Sequence, residues 1–242
     1  MNNLIIGNGM FAKAFKKSNA KNCIFFCSGV SSSNEISELK FKREEILIYE
    51  TLKSVDKQFI YFSSILAPQM SNEYYKHKIN MENIISSISN NYLIIRLPQV
   101  VGEVLNDTLF PNFVSSIYQK KVLSIYKESS RTIIDIDDVI QTFDNIYKDN
   151  ISNKTINLYP EYHFHPLKLM WLISKELNLK PNYYLVNKSS IQQFIEDNTI
   201  ISYKLKINTN NYLEKIVKKY TKRIVRLLDK KTYQQLNKDT NE

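Results

Sequence analysis

Glycine is almost missing from this chain: its 242 residues include four, Gly7, Gly9, Gly29 and Gly102. Ordinary usage of about 7% would give roughly 17. Glycine survives such a bias where the backbone needs a positive φ or where a Cβ would collide with a neighbour. Long apolar runs are also absent. No window holds 18 consecutive apolar residues, which excludes a spanning helix. The N-terminus enters a strand at Asn3–Ile6 without a charged region and cleavage site, so no secretory signal is expected. Cysteine is limited to Cys23 and Cys27. Four apart on one strand, they lie ~13 Å from each other, too far for a disulfide. They read as buried thiols of a reducing compartment, with no further metal ligands nearby, and a cytoplasmic location is expected.

The chain carries 33 Lys and Arg against 24 Asp and Glu, for a net charge of +9. No nucleic-acid motif accompanies that charge, so nucleic acid is not expected as a partner. Two readings remain: a solvated lysine-rich surface, or a field that attracts an anionic ligand. The 43% hydrophobic content suits a globular protein.

Short apolar strands alternate with helices along the first half. Strands are expected at Asn3–Ile6, Cys23–Cys27, Gln58–Phe62 and Tyr92–Arg96. Helices are expected at Met10–Lys17, at Phe41–Ser54 (apolar at Ile46, Ile48, Tyr49 and Leu52) and at Glu73–Ser89 (apolar at Ile79, Ile84, Ile85 and Ile88). This alternation predicts a parallel sheet covered on both faces. Beyond Gly102, helices are expected at Leu109–Lys120, Ile136–Lys148, Pro166–Leu177, Ser189–Asp197 and Tyr212–Leu228. Strands are expected at Val122–Tyr126, Arg131–Ile134 and Thr155–Leu158, and a linker at Lys206–Asn211.

Three motifs carry chemistry. Gly7-Asn8-Gly9-Met10-Phe11-Ala12 is a GxGxxA turn that follows a strand and opens a helix. Such a turn lets the backbone approach a pyrophosphate, and its Ala permits close helix–strand packing. Ser63-Ser64 ends a strand, where parallel sheets bind ligands. Tyr74 and Lys78, four apart, share one helix face. An ammonium beside a phenol lowers its pKa, which would make Tyr74 a general acid/base.

In this order the motifs resemble the extended short-chain dehydrogenase/reductase family, in its sugar-nucleotide epimerase/dehydratase branch. Further stretches carry the resemblance: residues 59–64 (FIYFSS), 74–82 (YYKHKINME), 96–102 (RLPQVVG) and 131–139 (RTIIDIDDV). It covers about residues 3 to 175. It implies an α/β fold: a Rossmann-like doubly wound parallel sheet of reduced strand number, with a small, mostly helical C-terminal substrate lobe. Residues 1–105 would form the cofactor-binding and catalytic core, with 131–158 returning to it, and 106–242 the lobe. The resemblance implies NAD or NADP as cofactor and a nucleotide-linked sugar as substrate, in cytoplasmic synthesis of surface polysaccharide. It makes Tyr74 the acid/base, Lys78 the residue that lowers its pKa and holds the nicotinamide ribose, and Ser64 the group that orients the reacting oxygen. Gly7, Asn8, Gly9, Met10, Phe11, Cys27, Ser28, Gly29, Phe62, Ser63 and Pro98 would line the cofactor, and Gln99, Thr108 and Arg131 the substrate.

The chain also departs from the family. Only about a dozen residues separate the glycine turn from the strand ending Cys27-Ser28-Gly29, where two more strands are usual. No acidic residue stands where the adenosine ribose is normally held; Arg43 at the start of the next helix is a candidate phosphate contact. Ile65-Leu66 replaces the Asp-Glu pair of the dehydratases, which leaves keto-reduction or epimerisation. A catalytically silent nucleotide-binding protein on the same fold is the alternative.

Other residues read as structural. His77 is expected to lie on the surface or to pack, His163 and His165 to lie in a loop without metal, and Asp137-Asp138 to cap a helix. The basic helix from Tyr212 is expected to pack its apolar stripe on the protein or on a second copy in a homodimer, rather than lie on an anionic membrane.

Overall fold

A computed structural model describes residues 2–53, 57–192, 194, 197, 199–205 and 209–239. The chain divides into two compact units. The first comprises residues 1–100, 134–160 and 194–205, and the second residues 101–133, 161–193 and 206–242.

The first unit is built on a parallel sheet. In chain order its elements begin with β1 (Leu4–Ile6), α1 (Met10–Phe15), β2 (Cys23–Phe26), α2 (Glu38–Leu52), β3 (Gln58–Ser64), α3 (Glu73–Ile88), β4 (Tyr92–Leu97) and β5 (Gln99–Val101). After α4 (Leu109–Tyr118) and β6 (Val122–Ser130) of the second unit come β7 (Ile133–Asp135), α5 (Ile136–Lys148) and β8 (Lys154–Pro160). The chain then runs through α6 (Pro166–Leu177), β9 (Asn182–Ile191), β10 (Ile201–Leu205) and α7 (Thr209–Asp239). Six strands form one sheet in the order β1-β2-β3-β4-β8-β10, and every pair in it is parallel. β1 lies at the edge, directly beside β2, because the short α1 connection holds no further strand.

Helices cover both faces, as a parallel sheet requires. On one face Phe15 of α1 packs against Phe25, Phe62 and Phe143 of α5, with ring centroids 4.8, 4.8 and 5.5 Å apart. The opposite face buries Ile24, Phe26, Phe59, Tyr61 and Ile94 of the sheet against Ile48 of α2 and Met81 and Ile85 of α3. Each such side chain contributes about 1.5–3 kcal/mol of burial.

Of the apolar positions expected on α2 and α3, Ile48 and Ile85 are buried and Leu52, Ile79 and Ile84 pack against the core, while three are corrected. Ile46, Tyr49 and Ile88 are exposed, while Glu44, Tyr74, Tyr75, His77, Lys78 and Glu82 are buried. The buried stripe is half polar because its polar members pair with one another across elements. Ser54, the expected end of the second helix, lies outside the described residues.

In the second unit β6 and β9 form a parallel pair with a register shift between Tyr126 and Glu128. Ser189 to Ile191 belong to β9, so the expected helix at Ser189–Asp197 is not formed there; residues 193, 195, 196 and 198 lie outside the described set. Pairing with β6 overrides the helical pattern of that segment. α7 buries Tyr212, Leu213, Ile216, Val217, Tyr220 and Ile224 and packs on α4 and α6, while Lys215, Lys218, Lys222 and Arg226 stay exposed. The expected linker is shortened: α7 begins at Thr209, and residues 206–208 lie outside the described set. Among the described residues no helix is long and apolar enough to cross a membrane.

Candidate active site

The glycine turn follows β1. Gly7 has φ +116°, and a Cβ there would stand 2.7 Å from the Cys27 carbonyl oxygen. The turn is therefore dictated by close approach to the end of β2, where the Cys27 N–H also donates to the Ile6 carbonyl at 2.7 Å. Gly9 differs: a Cβ on it would meet nothing within 4 Å. It stands at the N-cap of α1, a helix of six residues. Asn8 beside it is exposed, and Met10 and Phe11 are half-buried, with Phe11 packed on Phe62 at 4.7 Å. Burial pushes the Cys27 thiol up to about 12, so it stays a neutral thiol near pH 7. Arg43 of α2 donates to Ser28 Oγ at 3.1 Å and to the Ser28 carbonyl at 2.7 Å, which holds its guanidinium at the end of β2.

β3 alternates its side chains between the two faces of the sheet. Tyr61 and Ser63 turn toward α2 and α3, and Phe62 toward α1. Ser63 Oγ donates to Glu82 Oε1 at 2.6 Å, and Arg96 Nη2 donates to Glu82 Oε2 at 2.6 Å. Ser63 is thus engaged in a buried ion-pair network. Ser64 is the last strand residue, half-buried, and its Oγ accepts from the Leu66 N–H at 3.3 Å.

Asn72 caps α3 by accepting from the Tyr75 N–H at 3.1 Å, and this sets Tyr74 in the first turn. Tyr74 is 9% exposed, edge-on to Tyr75 at 5.0 Å. Lys78, one turn on, brings its Nζ within 5.8 Å of the Tyr74 ring centroid. The structure therefore brings these two residues together, but the ammonium points to other partners. Lys78 Nζ donates to Glu44 Oε1 at 3.1 Å and to the Tyr61 hydroxyl at 3.0 Å. Tyr61 in turn donates to Glu44 Oε1 at 2.7 Å. Glu44 Oε2 accepts from the Val30 N–H at 2.6 Å and from His77 Nε2 at 3.0 Å. His77 is further held by Phe41, stacked at 4.5 Å. A Cβ on Gly29 would come within 2.8 Å of Glu44 Oε1 and 3.0 Å of Lys78 Nζ, so this glycine leaves room for the pair.

Burial, then Tyr75 and the Glu44 carboxylate, push the Tyr74 phenol well above its usual value. The Lys78 ammonium is matched by Glu44 at 3.1 Å. Glu44 is itself held well below the usual carboxylate range, because Lys78 and its hydrogen-bond donors outweigh the burial that opposes ionisation.

Nothing in the sequence singles out Glu44 or Tyr61, and His77 reads there as a surface or packing residue. A single Glu in a helix rich in Lys and Glu carries no signal, since only the fold brings it to Lys78.

The remaining expected residues lie as follows. Pro98 is buried at the end of β4, and Gln99 is half-buried in β5. Thr108 precedes α4 and donates to Asn106 Oδ1 at 2.6 Å. Arg131 donates to the Ser130 carbonyl at 2.9 Å, to the Ser190 carbonyl and to Ser190 Oγ at 2.9 Å. His165 caps α6 by accepting from the Leu167 N–H at 3.2 Å, and His163 Nδ1 pairs with Thr132 Oγ1 at 2.9 Å. No cluster of metal-binding side chains occurs among the described residues. Asp135, rather than the following Asp137-Asp138 pair, caps α5 by accepting from the Asp137 N–H at 3.0 Å.

No family model matches the chain, and no curated protein matches it in sequence. Solved structures do match. The chain shares the fold of nucleotide-sugar epimerases and reductases. RMD from Pseudomonas aeruginosa, complexed with NADPH, aligns over 93% of this chain and 98% of its own, at 11% identity and TM-score 0.66. UDP-glucuronic acid 4-epimerase from Bacillus cereus, in complex with NAD, aligns over 91% and 78% at 16% identity and TM-score 0.67. dTDP-4-dehydrorhamnose reductase from Yersinia enterocolitica aligns over 93% and 100% at 12% identity and TM-score 0.62. The Rossmann-like sheet expected from the sequence is thus the sheet observed.

Proposed function

We propose that the chain is an NAD(P)-dependent epimerase or ketoreductase of a nucleotide-linked sugar, acting in surface polysaccharide synthesis. The observation that carries this reading is that Lys78, one helical turn from the buried Tyr74, brings its Nζ within 5.8 Å of that ring, the phenol–ammonium pairing that proton transfer at a sugar hydroxyl or carbonyl uses.

The residues around β1 and β2 fit a dinucleotide. Gly9 is exposed with open space where a Cβ would stand, which would leave room for a pyrophosphate at the turn that Gly7 fixes. Arg43 stands at the end of β2, where it would meet phosphate or ribose. A reduced nicotinamide, when bound, would supply a hydride to the carbonyl carbon. Tyr74 would give its phenolic proton to the carbonyl oxygen, leaving a phenolate that water reprotonates. Ser64 would orient that oxygen by hydrogen bonding. Gln99 would contact the nucleotide-linked part of the substrate.

Calorimetry with NADH and NADPH, followed by turnover of a nucleoside-diphosphate keto-sugar, tests this reading. Tyr74→Phe is expected to lower kcat by roughly 10²–10⁴-fold with cofactor affinity unchanged. Absence of binding at millimolar cofactor would favour a catalytically silent protein, and full turnover in Tyr74→Phe would remove the assigned proton donor.

A further inference from the structure

α7 has two faces, and the fold uses one of them. Its apolar stripe of Leu213, Ile216, Val217, Tyr220 and Ile224 is buried, and the helix packs on α4 and α6. The opposite face is cationic. Lys215, Lys218, Lys222, Arg226 and Lys230 are all exposed, and so is Tyr233, at 67%. Lys215, Lys222, Arg226 and Tyr233 follow one another at close to whole helical turns, which sets them in one row about 27 Å long. Acidic residues balance only part of this face. Glu176 holds Lys222 at 3.1 Å, Glu103 meets Arg223 at 3.6 Å, and Asp229 accepts from the Tyr118 hydroxyl at 2.9 Å. Over the whole helix nine Lys and Arg stand against three Asp and Glu.

The charge is not spread evenly over the chain. The first unit carries 15 Lys and Arg against 15 Asp and Glu, and the second 18 against 9, so the whole net charge of +9 belongs to the second. A lysine-rich drift in composition would load both units alike. A field confined to one unit, with its densest row on an exposed helix face, selects an anionic partner. A second copy of this chain is a poor occupant, since it would set one cationic row against another. Nucleic acid matches less well than lipid. The row is mostly Lys, a point charge, where phosphodiester recognition favours the Arg fork. No aromatic side chain alternates with its inner cations, as a base-stacking platform would require. Lysines that end in a single exposed Tyr suit a membrane–water interface, where the ring sits among headgroups and the cations face anionic phosphates.

We propose that the outer face of α7 docks the protein on an anionic bilayer surface, held by charge at the level of the lipid headgroups. The apolar stripe stays packed within the second unit, so the helix lies on the lipid without inserting. Packing and membrane contact are then tasks of opposite faces of one helix. The docking face is independent of the activity assigned above.

Co-sedimentation of the full chain with lipid vesicles tests this. Vesicles of phosphatidylcholine alone are compared with vesicles in which about one third is phosphatidylglycerol. Binding to the anionic vesicles only is expected, and its loss at about 0.5 M salt, where screening acts within about 4 Å. No binding to anionic vesicles at low salt overturns the proposal, and this arm needs no variant to fold. Lys215→Gln, Lys218→Gln, Lys222→Gln and Arg226→Gln together should weaken binding at least a hundredfold, at about fivefold per cation. The urea midpoint should stay near that of the wild type, because all four side chains are exposed. Lys16→Gln, Lys17→Gln, Lys53→Gln and Lys148→Gln remove the same charge from exposed positions of the first unit. They should weaken binding less than tenfold; equal losses in the two variants assign the effect to net charge and overturn the docking face. A short duplex DNA and a short single-stranded RNA are titrated at the same salt. If either binds at lower protein concentration than the anionic vesicles require, and loses that binding in the α7 variant, the face belongs to nucleic acid and the proposal falls.

Discussion

Glycine positions that look equivalent in the sequence have separate duties. Gly7 combines a φ of +116° with a contact of 2.7 Å for any added Cβ. Gly7→Ala is therefore expected to cost about 1–3 kcal/mol from backbone strain alone, with the clash in addition. Gly9 has φ −74° and open space where its Cβ would stand. Gly9→Ala should leave the denaturant midpoint near wild type but weaken cofactor binding by tenfold or more, about 1.4 kcal/mol. Denaturant unfolding and NADPH calorimetry on both variants check the contrast; equal losses of stability would refute the division of labour. The motif was legible as a motif, but the split between its two glycines depends on the neighbouring strand, which the sequence does not place.

Elements whose burial follows their own apolar period were legible. α5 and α6 have the bounds expected of them, Ile136–Lys148 and Pro166–Leu177. α3 was located but its buried side was misread, because Lys78, His77 and Glu82 lie on the inward face where Ile88 was expected. Such residues go inside only when partnered, and the partners come from other elements. Glu82 is one case: Arg96 of β4 pairs with it at 2.6 Å and Ser63 donates to it at 2.6 Å. Arg96→Met would leave the carboxylate buried without its counter-ion and should cost about 3–5 kcal/mol. The double change Arg96→Met with Glu82→Leu should recover most of that loss, as read by thermal unfolding. β9 was missed for a related reason, since a strand made by pairing with β6 leaves a weak local signal.

Across the whole molecule the buried Glu44 couples folding to pH. Its folded pKa is depressed below the usual 4.5, so its contribution to stability is complete above that value. It is lost as pH falls through the folded value, because the unfolded chain takes up the proton first. Glu44→Gln should therefore be less stable than wild type at pH 7. The gap should narrow steadily as pH drops below 4.5, the usual value. Urea unfolding of both proteins at descending pH measures this; a gap that stays constant would show that the carboxylate charge is not what stabilises the fold.

Alternating strands and helices, a glycine turn after the first strand and a hydroxyl at a later strand end are local patterns, and local patterns report on backbone period and on residues held near each other in the chain. They were enough to determine a Rossmann-like sheet with a shortened first half, and to place Tyr74 and Lys78 on one helix face. The pairing of Lys78 with Glu44, 34 positions away in the chain, was decided only by tertiary structure. Charge interactions depend on distance through space and on burial, and neither is written in residue order.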